Sequence, residues 1–216
     1  TGLALTIFGT GLSGFLGAGY VGMAIDGIAP FPIPFLSDIP FIGKVLFSHD
    51  PLVYLSWFMF ALIFWCFRST RLGLTIRAVG ENPEAANAIG IPVMKVRYGA
   101  ILFGGAMAGL AGAYLSLVYT PMWSEGMSAG RGWIALALVV FASWKAERIL
   151  LGAYLFGAAS IMHLVLQGLG FEASPNLLAM LPYGATIIVL VIIASDAAKA
   201  KLSTPLALGQ PYRPQV

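Results

Sequence analysis

Two groups of side chains in this sequence can recognise a partner molecule. Residues 120–132, TPMWSEGMSAGRG, carry Trp123, Glu125 and Arg131, and Trp133 follows directly. Indole faces stack on flat or ring-shaped solutes, while a carboxylate and a guanidinium accept and donate charged hydrogen bonds. The second group lies in residues 68–97, RSTRLGLTIRAVGENPEAANAIGIPVMKVR, which hold Glu81, Asn82, Glu84 and five of the twelve Lys and Arg residues. This is the chemistry of holding and docking, and patterns for bond making are missing. No GxxxxGK[ST] phosphate loop, HExxH or GxSxG motif occurs. The chain is therefore read as no enzyme: it holds no cofactor or metal of its own, and any ATP that drives it binds to another chain. His163 stands alone within an apolar run, either as a functional group or, more simply, as a neutral imidazole hydrogen-bonded to a neighbouring helix. The single cysteine, Cys66, excludes an intramolecular disulfide and a cysteine-built metal cluster.

The elements that position these groups are made for lipid. Hydrophobic residues make up 59% of the chain and charged residues only 10%, with a mean hydropathy of +0.87, against roughly a quarter charged in soluble domains. The net charge of +3 does not mark a nucleic-acid partner, because the cations gather at the ends of apolar runs and form no basic face. Uncharged runs at 3–24, 52–67, 98–119, 149–170 and 177–195 approach or reach the length that crosses a hydrocarbon core of about 30 Å. Asp50-Pro51 supplies a cap and a first-turn proline for the second of them, and Pro182 and Gly184 kink the last. The first run contains six glycines, and Gly105, Gly109 and Gly112 place a small-residue stripe on the third, so close helix packing is expected of both. The run 133–144 spans only about 18 Å as a helix. Either residues 120–132 dip into the protein to complete that crossing beside a cavity, or they form an external loop with both tryptophans in the interfacial belt.

The expected architecture is an all-α polytopic transmembrane helix bundle, with about five full spans plus one short or discontinuous helix, in one domain over 1–216. Orientation follows from the basic residues: with the N-terminus inside, ten lie in cytoplasmic segments and only Lys44 and Arg131 outside. The proline-rich stretch 26–50 is then external, and a mobile tail 196–216 is cytoplasmic. Thr1 in place of Met, followed at once by an apolar run, reads as an N-terminally incomplete chain.

Within the cytoplasmic loop 68–97, Asn82 is placed to cap a helix that Pro83 opens, Glu84 favours the positive end of its dipole, and Gly90 is placed to end it. A helix of about two turns is too short to stand alone, so neighbouring chain or a partner must hold it. The motif AVGENPEAANAIGI resembles the coupling-helix loop of bacterial ABC importer permeases of the ribose, nucleoside and branched-chain amino acid class. The flanking RSTRLGLTIRAVGENPEAA, then GGAMAGLAGAYLS and GRGWIALALVVFASW, resemble the same class in the same order and cover most of 68–144. The likeness is greatest to the basic-membrane-protein type that serves nucleosides. It implies that Glu81, Asn82, Pro83, Glu84, Ala85, Ala86 and Gly90 couple to a separate ABC ATPase subunit, with the small Ala85, Ala86 and Ala88 entering its groove. It also implies a second permease subunit, identical or a sister chain, a solute-binding lipoprotein, and residence among the lipids of the bacterial inner membrane. The implied cargo is a nucleoside, then a ribose-type sugar, then a branched-chain amino acid. A secondary transporter or facilitator fits the composition, but the spans hold no ionisable relay beyond His163. A membrane-embedded enzyme has almost no residue support.

Overall fold

The computed structural model describes residues 2–32, 47–128, 130–170, 180, 184, 187, 191 and 204–212. Seven α-helices are described: α1 Gly2–Gly17, α2 Pro51–Ser69, α3 Arg71–Glu81, α4 Pro83–Ala88, α5 Val93–Tyr114, α6 Arg131–Phe141 and α7 Ala146–Gly168. A single 3-10 turn, Ala18–Tyr20, extends α1, and a π-helical turn, Leu115–Tyr119, ends α5. Among the described residues three stretches are long and apolar enough to cross a membrane, Gly2–Tyr20, Pro51–Ser69 and Val93–Tyr119. The expected run at 149–170 forms most of α7, with 23 residues. The expected span 177–195 lies almost wholly outside the described residues. At 11 residues α6 reaches only about 16 Å, and it remains the short helix that the sequence predicts.

The chain divides into two compact units, Thr1–Leu62 with Tyr98–Arg131, and Ile63–Arg97 with Gly132–Val216. In the first, Asp50 caps α2: its Oδ1 accepts from the Leu52 and Val53 amides at 3.0 and 3.1 Å, while Pro51 opens the helix. Ahead of the cap the Phe31 amide donates to the His49 carbonyl at 3.0 Å, and the Tyr54 hydroxyl accepts from the His49 amide at 3.2 Å. The Trp57 ring meets His49 and Tyr54 edge-on at 5.7 and 5.8 Å. Most apolar side chains of α1 face outward, including Leu3, Leu5, Phe8 and Phe15; a helix that is apolar all round suits a lipid environment.

In the second unit the loop 68–97 is more helical than its central capping signal alone suggests. Thr70 ends α2 and begins α3. Its hydroxyl donates to the Cys66 carbonyl at 2.7 Å and accepts from the Gly73 amide at 3.1 Å. Gly73 lies directly on the backbone of Cys66 and Phe67, where a Cβ would collide with the Cys66 carbonyl. Cys66 is half-buried, with its Sγ 3.4 Å from the Thr70 hydroxyl. Also in this unit, α6 stops at Phe141 through a turn in which Ser143 and Trp144 take positive φ, 49° and 62°. The Ser143 and Trp144 amides return to the Val140 and Val139 carbonyls, a C-terminal capping pattern that usually employs glycine.

Gly73→Ala is expected to drive α3 off the end of α2, at an overpacking cost of roughly 1–3 kcal/mol. Thermal unfolding of the detergent-purified protein should show a lowered midpoint; an unchanged one would contradict the close approach.

Candidate functional site

Asn82 organises the better defined of two candidate sites. Its extended backbone, φ −146° and ψ 95°, interrupts the helix, and its amide donates to the Ala78 carbonyl at 3.0 Å, closing α3. Its Oδ1 accepts from the Ala85 amide at 3.0 Å, opening α4 behind Pro83. The other end of α4 closes at Gly90, φ +86°. The Gly90 amide returns to Asn87 and the Ile91 amide to Ala86, at 2.9 and 3.0 Å. The cap, the N1 proline and the terminal glycine stand where the sequence predicts them.

This double reversal folds α4 back on α3. Val79, Ala86 and Val93 are 3%, 3% and 2% exposed and form one apolar cluster, with Ile91, Val96 and Tyr212 packed against it. Ala86 therefore points into its own chain, which corrects the expectation that it enters a partner's groove. The outward face of α4 is made by Glu84, Ala85, Asn87 and Ala88, with Ile89 and Gly90 beside it.

Residues 204–212 also belong to this site. They were expected to be mobile, yet the Ala207 amide donates to the Gly80 carbonyl at 3.0 Å and the Leu206 amide to Glu81 Oε2 at 3.1 Å. Arg97, in the first turns of α5, donates to the Gln210 carbonyl at 3.3 Å and stacks on the Tyr212 ring at 5.5 Å. An open groove of about 340 Å³ remains between these residues and the start of α4, bordered by Glu81, Asn82, Glu84, Arg97, Gln210 and Tyr212.

The second candidate site lies in the first unit, where α5 ends. The π-helical turn at Leu115–Tyr119 breaks the regular hydrogen-bond ladder, and its Leu117 carbonyl accepts from the Ile28 amide at 3.0 Å. The Pro121 carbonyl likewise accepts from the Ile25 amide at 3.0 Å, and short bridges join Val21 to Trp123 and Ala24 to Met122. Non-helical backbone is tolerated at membrane depth only when such groups are satisfied. The Trp123 indole lies against Gly17, occupying the space a Cβ would need, and a Cβ on Gly14 would lie 3.4 Å from Glu125 Oε1. Arg131 stacks on the Tyr119 ring at 4.7 Å.

The fold thus brings Trp123 and Glu125 onto the glycine face of α1 and pairs Arg131 with Tyr119. Trp133, on α6 in the second unit, is 76% exposed. A Cβ at Gly105, Gly109 or Gly112 meets nothing within 4 Å among the described residues, so the expected packing partner of that stripe is not among them. The side chains of His163 and Gln167 lie outside the description. Gly17 and Tyr119 escape a sequence reading: Gly17 is one of six similar glycines, and a π-helical turn has no composition of its own. For Arg97 the charge itself signals only topology, and its partners Gln210 and Tyr212 lie more than a hundred residues away.

A model of the family described as "Branched-chain amino acid transport system / permease component" matches residues 1–193. A Haloferax volcanii protein, provisionally named a glucose ABC transporter permease, is 38% identical over 98% of this chain and 71% of its own length. The nucleoside ABC transporter permease protein NupC of Lactococcus lactis is 35% identical over 82% of this chain and 56% of its own. The guanosine ABC transporter permease protein NupQ of Bacillus subtilis is 33% identical over 98% and 67%. No solved structure matches.

Gly17→Ala must push the Trp123 indole off α1, lowering stability by roughly 1–3 kcal/mol. The double variant Gly17→Ala/Trp123→Ala should lose less than the two single variants combined, as contacting residues do. Additive shifts in the unfolding midpoint would show that the two do not touch.

Proposed function

Because the chain belongs to the branched-chain amino acid transport system permease family, and is thus a membrane-spanning ABC transporter permease chain, we propose that it imports a sugar-bearing solute, a nucleoside or a simple sugar. The observation that carries the reading is α4: a helix of six residues, capped at both ends and packed through Ala86, with Glu84, Ala85, Asn87 and Ala88 turned outward. An amphipathic helix with such a small outer face fits a groove on a partner, and Glu84 can fix the register electrostatically. We assign that partner as a cytosolic ATPase subunit, which supplies the ATP site that this sequence lacks. The bias of basic residues toward one set of loops supports a cytoplasmic place for the corner of α3 and α4 and an inner-membrane location.

An ABC importer with two ATP sites needs two such helices and the described residues offer one, so the assembly contains a second permease, a copy or a sister chain, and receives its solute from a binding protein. The names of the relatives, nucleoside, guanosine and glucose, favour a cargo with a sugar ring. Trp123 and Glu125 suit that cargo: an indole face covers the C–H side of a ring while a carboxylate accepts from its hydroxyls. Arg131 and Trp133 are the further candidates for the solute path, and of the four Trp133 stands in the other unit.

The test is uptake into proteoliposomes by the assembled complex. Labelled guanosine or glucose should accumulate with ATP and not with a non-hydrolysable analogue, and leucine should not. Uptake driven by an ion gradient without ATP would make the protein a secondary transporter, and uptake of leucine alone would remove the sugar-bearing class. Ala88→Trp should abolish solute-stimulated ATP hydrolysis in a normally inserted protein, whereas full coupling in that variant would show that α4 does not dock. Cysteines at 125 and 131, with Cys66→Ser, should react with a small polar thiol reagent more slowly when solute is present. Labelling indifferent to solute at both positions would take them out of the path.

A further inference from the structure

We propose that residues 204–212 are a clasp that fixes the pose of α4, so that Arg97 and Tyr212 act as positioning residues for ATP-coupled transport. This rests on the reading of α4 as the docking helix. A six-residue helix has almost no stability of its own, and its direction is set by what holds its two ends. The N-terminal end is joined through Asn82 to the last turn of α3, where helix carbonyls lack partners. There the Ala207 amide supplies one to Gly80, and the Leu206 amide engages the Glu81 carboxylate. The C-terminal end leads through Gly90 into α5, where Arg97 holds the Gln210 carbonyl and the Tyr212 ring.

Residues 204–212 therefore bridge the end of α3 and the beginning of α5, the two elements that flank α4, and Tyr212 also rests on the Val79, Ala86 and Val93 cluster. The outward face of α4 stays uncovered while its base is tied. A helix that must transmit force between an ATPase and a membrane path requires this arrangement, because a loosely held one would tilt under load and leave the path unchanged.

Three measurements on the assembled complex test this. First, a Cβ on Gly80 would lie 3.7 Å from the Pro205 Cβ, within the range of about 3.5–4.5 Å found in disulfides. Gly80→Cys with Pro205→Cys, in a Cys66→Ser background, should therefore cross-link under mild oxidation and keep solute-stimulated ATP hydrolysis. Second, Tyr212→Ala, and removal of the chain from Thr204 onward, should lower the ratio of stimulated to basal hydrolysis at least about 5-fold, the low end of ordinary coupling energies. Third, Tyr212→Phe keeps the ring for Arg97 and should restore the ratio, a rescue that a general loss of folding would not show. Failure to cross-link, or full coupling in the truncated and Tyr212→Ala proteins, overturns the clasp. If the unaltered complex shows no solute-stimulated hydrolysis, the docking reading fails instead, and the cross-link still reports whether the tail sits on α3.

Discussion

The reversal at Asn82 is the constraint on which the packed part of the second unit depends. One residue closes α3 with its amide and opens α4 with its side chain, each through a 3.0 Å hydrogen bond. Substituting such a cap typically costs about 1 kcal/mol. The geometrical consequence is larger than that figure, since the turn brings Val79 and Ala86 onto one side and lets Val93 close the cluster. Without the reversal Ala86 has no core to enter, and the outward residues of α4 have no fixed direction.

The remainder of the molecule follows a different rule. Helices α1, α2 and α5 bury almost nothing against each other, and their apolar side chains face outward. In water that exposure would be untenable; in hydrocarbon it costs nothing, and what must be satisfied is backbone. The ends of these helices show how that demand is met. Asp50 receives the first amides of α2, Thr70 serves α2 and α3 together, and Ile25 and Ile28 give their amides to carbonyls that the π-helical turn and the following loop leave open.

Features carried by neighbours in sequence were legible, and those carried by distant contacts were not. Asn82, Pro83 and Gly90, like Asp50 and Pro51, act across two to five residues, so their spacing alone announces them. Ala85, Ala86 and Ala88 are chemically alike, and only the position of α3 decides which one is buried. Gly17 and Gly73 owe their roles to Trp123 and to the Cys66 backbone, and nothing local distinguishes either from Gly9 or Gly11, which meet no atom within 4 Å. The tail was harder still. Its contacts with Gly80, Glu81 and Arg97 span more than a hundred residues, and a proline-containing, polar sequence reads as mobile when the surface that holds it is unknown. The π-helical turn at 115–119 looks in sequence like nothing more than the end of an apolar run.

The tie between Phe31 and His49 bears on how α2 receives its direction. Because the Phe31 amide meets the His49 carbonyl at 3.0 Å and Tyr54 braces the same pair, the residue just ahead of the Asp50 cap is held from two sides. The first turn of α2 therefore has two independent anchors, the Asp50 side chain at its start and the Phe31 pairing ahead of it, and loosening either one leaves the other to aim the helix.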